Sequence, residues 1–181
     1  MKKIFFGIVF VILSGCMGMP ENITPVEDFI LEKYLGKWYE IARMDHSFER
    51  GLDNVTAFYS IREQGGISVK NRGYSADKKS WREAEGKAYF AGNNNEGYLR
   101  VSFFGPFYSS YVIFELDEEN YQYAFVSGYN NSYLWLLSRT PTVDERTISR
   151  FIEKARNNGF DTDKLIFVKH DNKQKNDIQN R

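Results

Sequence analysis

Polar and apolar residues alternate along the chain from Trp38 onward with a period of two, which is the pattern of a β-strand with one buried face. In the segment 81–90, Glu83, Glu85 and Lys87 share one face, and the other face contains Ala84, Gly86, Ala88 and Phe90. Clusters rich in glycine, asparagine, aspartate and proline interrupt the alternation and indicate turns. Short, evenly spaced strands are typical of an antiparallel sandwich or barrel. The pattern predicts eight strands, at 38–45, 54–62, 66–74, 81–91, 97–104, 109–117, 121–127 and 132–139.

One helix is predicted after the last of these strands. The segment 142–145 (TVDE) matches the capping box that begins many helices. Apolar residues then recur at helical spacing at Ile148, Phe151, Ile152 and Ala155, and Gly159 suits the helix end. Because the strands between 109 and 139 are apolar on both faces, we expect the helix to pack outside the sheet there. The segment 164–170 predicts a short final strand, and 171–181 a polar tail that we expect to be disordered.

Closure of eight up-and-down strands into a barrel would bring the first strand beside the last. Because the strand number is even, Trp38 at the start of the first strand and Arg139 at the end of the last would lie at the same end. The indole would then close that end of the barrel, and the guanidinium would stack on it. Gly36 would allow the chain to pass beneath the barrel without a side-chain clash.

The first residues have the features of an export signal. Lys2 and Lys3 precede an apolar run at 4–13, which is too short to span a bilayer. The sequence LSGC, which ends at Cys16, resembles the bacterial lipoprotein box. The resemblance implies that residues 1–15 are removed and that Cys16 carries an S-diacylglyceryl group and an N-acyl chain. The alternative is an ordinary signal peptide with an incidental cysteine.

The residue after the cysteine bears on the destination of such a lipoprotein. An aspartate at that position typically retains bacterial lipoproteins in the inner membrane, and this chain has Met17 there. The resemblance therefore implies lipid anchoring in the bacterial outer membrane. Residues 16–33 contain Pro20 and Pro25 and are interpreted as a lipidated N-terminus and tether, and residues 34–170 as the folded domain.

Composition excludes several classes of protein. The 24 basic and 24 acidic residues balance, so the chain lacks the basic surplus of a nucleic-acid-binding domain. The single cysteine excludes an internal disulfide and a multi-cysteine metal site. His46 and His170 have no obvious nucleophile, and no Gly-x-Ser-x-Gly motif is present. A two-histidine metal or haem site has no support from spacing. We therefore expect a protein that is not an enzyme and has no cofactor and no metal.

Several motifs resemble the lipocalin family, and in particular its bacterial lipoprotein members. Gly36-x-Trp38 matches the first lipocalin motif and Arg139 matches the third, whereas the middle motif is matched only at Asp117 and Tyr121. Longer stretches extend the similarity over about residues 33–169, including LGKWYEIAR, AEGKAYF, VSFFGPFY and YLWLLSRTP. The resemblance implies an eight-stranded lipocalin barrel that binds fatty acids or lysophospholipids.

The inner face of the barrel is assigned by taking Arg139 as the inner end of its strand. The resulting lining is apolar with few polar groups, as suits a hydrophobic ligand, although a packed core without a cavity is the alternative. Arg50 is a candidate for a charged head group, with a solvated loop charge as the simpler interpretation. The candidate cavity residues are Val55, Ala57, Tyr59, Val69, Asn71, Ala84, Ala88, Leu99, Val101, Phe103, Val112, Phe114, Val126, Tyr133 and Trp135.

The sequence therefore predicts an outer-membrane-anchored carrier or storage protein for hydrophobic ligands. The rival hypothesis is a scaffold lipoprotein of the cell envelope whose cavity is incidental. In that case Phe58, Tyr111 and Ile113, assigned to the outer face, are candidates for a partner surface or a homodimer contact.

Overall fold

The computed structural model describes residues 17–171. Each strand pairs antiparallel with its neighbour in the chain, and β1 pairs with both β2 and β8, which closes the sheet into a barrel. The predicted eight-stranded up-and-down barrel is confirmed, whereas the predicted signal peptide, Cys16 and the tail beyond Asp171 lie outside the described residues. The strands are β1 (Gly36–Arg43), β2 (Leu52–Ile61), β3 (Ile67–Ser75), β4 (Ser80–Phe90), β5 (Tyr98–Phe104), β6 (Phe107–Leu116), β7 (Tyr123–Ser127) and β8 (Leu134–Ser138).

Two helices and a ninth strand accompany the barrel. The short helix α1 (Leu31–Tyr34) precedes β1, and the longer helix α2 (Glu145–Asn157) follows β8. A 3₁₀ turn (Thr162–Lys164) leads to β9 (Ile166–Phe167), which pairs with the end of β1. Within residues 17–171, no helix is long and apolar enough to cross a membrane.

Helix α2 packs outside the barrel, as its stripe of apolar residues predicts. Phe151 and Ala155 are fully buried, and the Phe151 ring meets Phe125 of β7 edge-on at 5.1 Å between centroids. The cap differs from the capping-box prediction, because Asp144 rather than Thr142 accepts the backbone N–H of Thr147. The helix therefore begins two residues later than the sequence motif indicates.

The outer position of α2 overturns the assignment of two cavity residues on β6. Val112 and Phe114 are buried with Phe125 and Phe151 in the core between the barrel and the helix, not inside the barrel. Tyr111 and Ile113 instead belong to the inner core, so they cannot form the suggested partner surface. Both faces of β6 are apolar because each faces a core, and alternation therefore cannot tell inside from outside.

The segment before α1 is attached to the barrel. Ile23 and Phe29 are buried, and the backbone N–H of Val26 donates to the carbonyl of Ile113. The carbonyl of Val26 in turn accepts the N–H of Gly97. The part of the predicted tether from Ile23 onward is thus packed against the barrel rather than free.

Trp38 and Arg139 meet at one end of the barrel. The guanidinium carbon of Arg139 lies 3.9 Å from the centroid of the Trp38 ring, and Arg139 also donates to the carbonyls of Lys33 and Lys37. The Trp38 Nε1–H donates to the carbonyl of Tyr34 at 2.8 Å. Gly36 has φ +94°, a conformation that favours glycine, and an added Cβ would lie 3.5 Å from the Arg139 guanidinium. This is the closed end.

Candidate ligand-binding cavity

The barrel is packed in one half and hollow in the other. The closed half is filled by aromatic residues, among them Phe29, Tyr34, Trp38 and Tyr121. The other half holds a cavity of about 710 Å³. The cavity opens where the β1–β2, β5–β6 and β7–β8 connections meet, because residues in or next to these connections line it. We call this the open end.

Most of the predicted cavity residues line this space, and some do not. Ala88, Leu99 and Val126 face inward but are fully buried in the packed half, below the cavity. Val112 and Phe114 lie outside the barrel, as described above. The predicted residues that line the cavity are Val55, Ala57, Tyr59, Val69, Asn71, Ala84, Val101, Phe103, Tyr133 and Trp135.

Three tyrosine hydroxyls meet at the floor of the cavity, where Tyr59 and Tyr111 line it and Tyr34 lies beneath them in the packed half. The Tyr111 hydroxyl lies 2.7 Å from that of Tyr34 and 2.8 Å from that of Tyr59. Burial raises the pKa of all three tyrosines, so the hydroxyls stay protonated at neutral pH. Two hydrogen bonds among three hydroxyls use two of the three protons. One O–H therefore remains able to donate to another acceptor.

A buried charged network lies in the wall near the open end. The Arg43 Nη1 donates to Glu40 Oε1 at 2.8 Å, and its Nη2 donates to the backbone carbonyl of Glu49 at 2.9 Å. The Glu49 carboxylate contacts His46 Nε2 at 2.9 Å and accepts the Trp135 indole N–H at 3.1 Å. All of these residues except Trp135 are almost fully buried.

The two carboxyl groups of this network have opposite pKa shifts. Burial, followed by the charge of Glu49, raises the pKa of Glu40 well above its ordinary value. Burial acts in the same direction on Glu49, but the contacts with His46 and the hydrogen bond from Trp135 outweigh it and lower its pKa. The network therefore favours the protonated form of Glu40 and the ionised form of Glu49. Sequence analysis missed this network because β1 has a register shift between Glu40 and Ala42, which breaks the alternation.

Arg82 places a positive charge at the mouth of the cavity. It pairs with Gly73 across the β3–β4 ladder and lines the cavity. On the outer face of the same two strands, Lys70 and Arg72 form ion pairs with Glu83. No ion pair to Arg82 occurs among residues 17–171. The strand parity that places Ala84 inside would also have found Arg82, two residues away.

Two other polar residues at the open end differ in their relation to the cavity. The Asn71 Oδ1 lines the cavity one step deeper than Arg82 and has no hydrogen-bond partner in the described part of the chain. Arg50 is instead exposed, pairs with Asp45 at 2.8 Å and does not line the cavity. Arg50 is therefore a solvated loop charge, and Arg82 is the cation that stands at the mouth.

Comparison with known sequences identifies related proteins over nearly the whole chain. A family model described as "Lipocalin-like domain" matches residues 29–170. "Outer membrane lipoprotein Blc" of Vibrio cholerae is 64% identical, and the match covers 93% of this chain and 98% of the relative. The protein of the same name from Escherichia coli K12 is 50% identical, with 82% and 84% covered. "Temperature-induced lipocalin-1" of Arabidopsis thaliana is 35% identical, with 80% and 81% covered.

Solved structures with low sequence identity share the fold. Insecticyanin from the tobacco hornworm Manduca sexta superposes with a TM-score of 0.67 at 20% identity, covering 86% of this chain and 88% of that one. The cockroach allergen Per a 4 gives a TM-score of 0.66 at 21% identity, with 85% and 96% covered. At this level of identity the likeness concerns the barrel alone.

Proposed function

Because the chain belongs to the lipocalin family, we propose that its open half-barrel holds the acyl chain of a fatty acid or lysophospholipid for storage or transport. Lipocalins of this kind are binding proteins rather than enzymes, and they bind lipophilic ligands. The observation that carries the proposal is the cavity of about 710 Å³, which lies within the roughly 300–1,000 Å³ typical of small-molecule sites. Its walls are mainly apolar, as a hydrocarbon chain requires.

The polar groups suggest how an amphiphilic ligand would be oriented. In the wall network, Arg43 already donates to Glu40 and to the backbone of Glu49, and the Glu49 carboxylate already contacts His46 and accepts the Trp135 N–H. Arg82, which forms no ion pair within residues 17–171, lies at the mouth and can donate hydrogen bonds to an anionic group there. An acyl tail would therefore lie in the cavity, while a carboxylate or phosphate would remain at the mouth beside Arg82.

Anchoring in the bacterial outer membrane is part of the same proposal. It is supported by the lipoprotein box that ends at Cys16 and by the relatives named "Outer membrane lipoprotein Blc". Under this proposal residues 1–15 are a signal peptide and Cys16 is the lipid attachment site. Replacing Cys16 with serine would abolish the incorporation of labelled fatty acid, because serine has no thiol to accept the diacylglyceryl group.

The scaffold hypothesis is weaker than the sequence suggested. Two of the three residues assigned to its partner surface, Tyr111 and Ile113, lie inside the barrel. Phe58 remains exposed on β2 but has no apolar partner from β6 beside it among the described residues. A carrier is therefore favoured over a scaffold.

Two substitutions on neighbouring residues of β2 test the carrier proposal. Ala57→Trp would place an indole in the cavity, whereas Phe58→Trp would place the same side chain on the outer face. We expect Ala57→Trp to weaken binding of a long-chain fatty acid or lysophospholipid more than tenfold, a loss above ~1.4 kcal/mol. Phe58→Trp would leave the affinity unchanged. Equal affinities for the two variants, measured by titration calorimetry, would place the lipid outside the barrel and refute the proposal.

A further inference from the structure

The deepest row of the cavity is polar, although the walls above it are mainly apolar. Tyr59 pairs with Val69 across the β2–β3 ladder, and both residues line the cavity. The next inner pair toward the closed end, Ile67 and Ala88, is almost fully buried and does not line the cavity. The hydroxyls of Tyr59 and Tyr111 therefore mark the bottom of the hollow half. Together with the Tyr34 hydroxyl beneath them, we call this cluster the tyrosine floor.

One hydroxyl proton of the tyrosine floor faces the cavity. Tyr34 lies in the packed half, so its proton would lack an acceptor unless it donates to the central hydroxyl, that of Tyr111. The second hydrogen bond joins Tyr111 to Tyr59. The unused proton then belongs to Tyr59 or Tyr111, and both of these residues line the cavity. Within residues 17–171, the structure shows no other hydrogen bond to the three hydroxyls.

Depth separates the tyrosine floor from Arg82 at the mouth. Arg82 pairs with Gly73, and Gly73 is four residues from Val69 along β3. At about 3.3 Å per residue, the row of the floor lies roughly 13 Å below the row of Arg82. A ligand whose anionic group stays beside Arg82 would therefore meet the floor with the distal part of its chain.

The tyrosine floor suits a neutral oxygen rather than a charged group. Burial raises the pKa of Tyr59, and the charges of Glu49 and Glu40 add to that rise, so the surroundings of the floor disfavour a further anion. A methyl group at the floor would leave the unused O–H without an acceptor, which is unfavourable for a buried donor. A hydroxyl or carbonyl oxygen would accept that proton, and a hydroxyl could also donate to a tyrosine oxygen.

We propose that the tyrosine floor is a second polar subsite, which binds a neutral oxygen on the distal part of an acyl chain while the anionic group of the same ligand stays beside Arg82. This inference rests on the proposed function and names its preferred ligand class, which is fatty acids or lysophospholipids with an oxygenated chain. With one polar subsite at the mouth and another at the floor, the cavity would select both the direction and the length of the bound chain.

Hydroxylated fatty acids measure the contribution of the tyrosine floor. The experiment uses the chain from Met17 onward, which contains every strand, both helices and all three buried cores. Titration calorimetry gives the affinities of ω-hydroxy acids of ten to sixteen carbons. The unmodified acid and the α-hydroxy acid of each length are the controls, because the α-hydroxyl is attached beside the carboxylate and would stay with it at the mouth.

The parent chain should show a preferred length. At that length the ω-hydroxy acid should bind at least as tightly as the unmodified acid, because the floor replaces the hydrogen bonds to water that the hydroxyl loses. At other lengths the ω-hydroxyl would be buried without a partner. Those ω-hydroxy acids should therefore bind more weakly than the unmodified acids of the same length.

A double variant, Tyr59→Phe with Tyr111→Phe, removes both hydroxyls that line the cavity. At the preferred length, the ω-hydroxy acid should bind this variant about tenfold more weakly than it binds the parent chain, while the unmodified acid binds it at least as tightly. A merely distorted cavity would weaken both acids alike. Tyr34→Phe is the matched control and should retain the preference, because the hydroxyl of Tyr34 lies beneath the cavity.

Three results would overturn the floor subsite. The first is a parent chain that binds the unmodified acid more tightly than the ω-hydroxy acid at every length, which would leave the proposed function intact. The second is a preference for the ω-hydroxy acid that persists in the double variant. The third is a gain for the α-hydroxy acid that the double variant abolishes, because the carboxyl end would then lie at the floor. If no acid binds the parent chain, the proposed function is refuted together with the subsite.

Discussion

The closed and open halves of the barrel are built from the same strands, but the closed half is packed with side chains and the open half is hollow. In the closed half, Trp38 and Tyr34 are fully buried and pack against each other, with ring centroids 4.7 Å apart. In the open half, Val101 and Phe103 face a cavity of about 710 Å³ on the same inner side. The packed half stabilises the fold and thereby allows the other half to stay hollow, since a cavity lacks the packing contacts of a filled core.

The largest expected effect is loss of the indole that fills the closed half. Trp38→Ala should lower the free energy of unfolding by about 3–5 kcal/mol, the usual cost of truncating a large buried aromatic residue. Trp135→Ala should cost clearly less, because one side of the Trp135 ring already faces the cavity. Urea denaturation of both variants measures the difference. Equal losses would mean that the two halves contribute alike to stability.

The tyrosine floor between the halves should show the next largest effect. Tyr111→Phe removes the hydroxyl that joins Tyr34 and Tyr59, and it leaves two buried hydroxyls without their partner. We expect a loss of about 1–3 kcal/mol in unfolding free energy. Tyr98→Phe is a suitable control, because its hydroxyl makes only a 3.3 Å contact with Ser110 on the outer side of the barrel. A smaller loss for Tyr111→Phe than for Tyr98→Phe would contradict the assignment.

Coupling between Trp38 and Arg139 should be smaller but specific to the closed end. The stacking contact is worth about 0.5–2 kcal/mol, because the cation lies over the ring in a partly buried place. The losses in Trp38→Ala and Arg139→Ala should therefore not add in the double variant. A double-mutant cycle measured by denaturation gives the coupling. Additive losses would show that the two residues stabilise the barrel independently.

The wall network of the open half should alter the dependence of stability on pH. Because the pKa of Glu40 is raised in the folded state, its contribution is complete below its ordinary pKa of 4.5 and declines as the pH rises toward the raised value. Glu40→Gln removes this decline. The unfolding free energy of the variant, relative to that of the parent chain, should therefore rise as the pH increases from 4.5. Denaturation at a series of pH values tests this.

Glu49 provides the opposite case in the same network. Its folded-state pKa is lowered, so its contribution is present above the ordinary pKa of 4.5 and is lost as the pH falls through the lowered value. Glu49→Gln should therefore lose stability at neutral pH, where Glu40→Gln does not. Parallel pH profiles for the two variants would contradict the opposite pKa shifts of Glu40 and Glu49.

The sequence identified the inner and outer faces of a strand correctly where one face is exposed to solvent. On β4, charged residues alternate with small ones, and the inner position of Ala84 followed directly. The contact between Trp38 and Arg139 followed from closure of an even number of strands. The alternation of polar and apolar residues was not informative on β6. Helix α2 covers the outer face of this strand, so that face is as apolar as the inner one, and Val112 lies outside the barrel.

Local irregularity hid the remaining features from sequence analysis. The register shift in β1 breaks the alternation and brings Glu40 and Arg43 into one buried network. The boundary between the packed and the hollow half depends on long-range contacts, because Ala88 and Ala84 lie on the same row of β4 yet one is in the core and the other at the mouth. Neither alternation nor composition distinguishes these two alanines.

The position of the acyl chain is the central claim, and the three tryptophans of the chain allow it to be measured. Trp135 lines the cavity, Trp38 is buried beneath it, and Trp81 stacks with Arg72 on the outer face. A lysophospholipid with a brominated acyl chain quenches the fluorescence of an indole that it touches. We expect quenching in the parent chain and in Trp81→Phe, and its loss in Trp135→Phe. Quenching that persists in Trp135→Phe and disappears in Trp81→Phe would place the lipid outside the barrel and contradict the account.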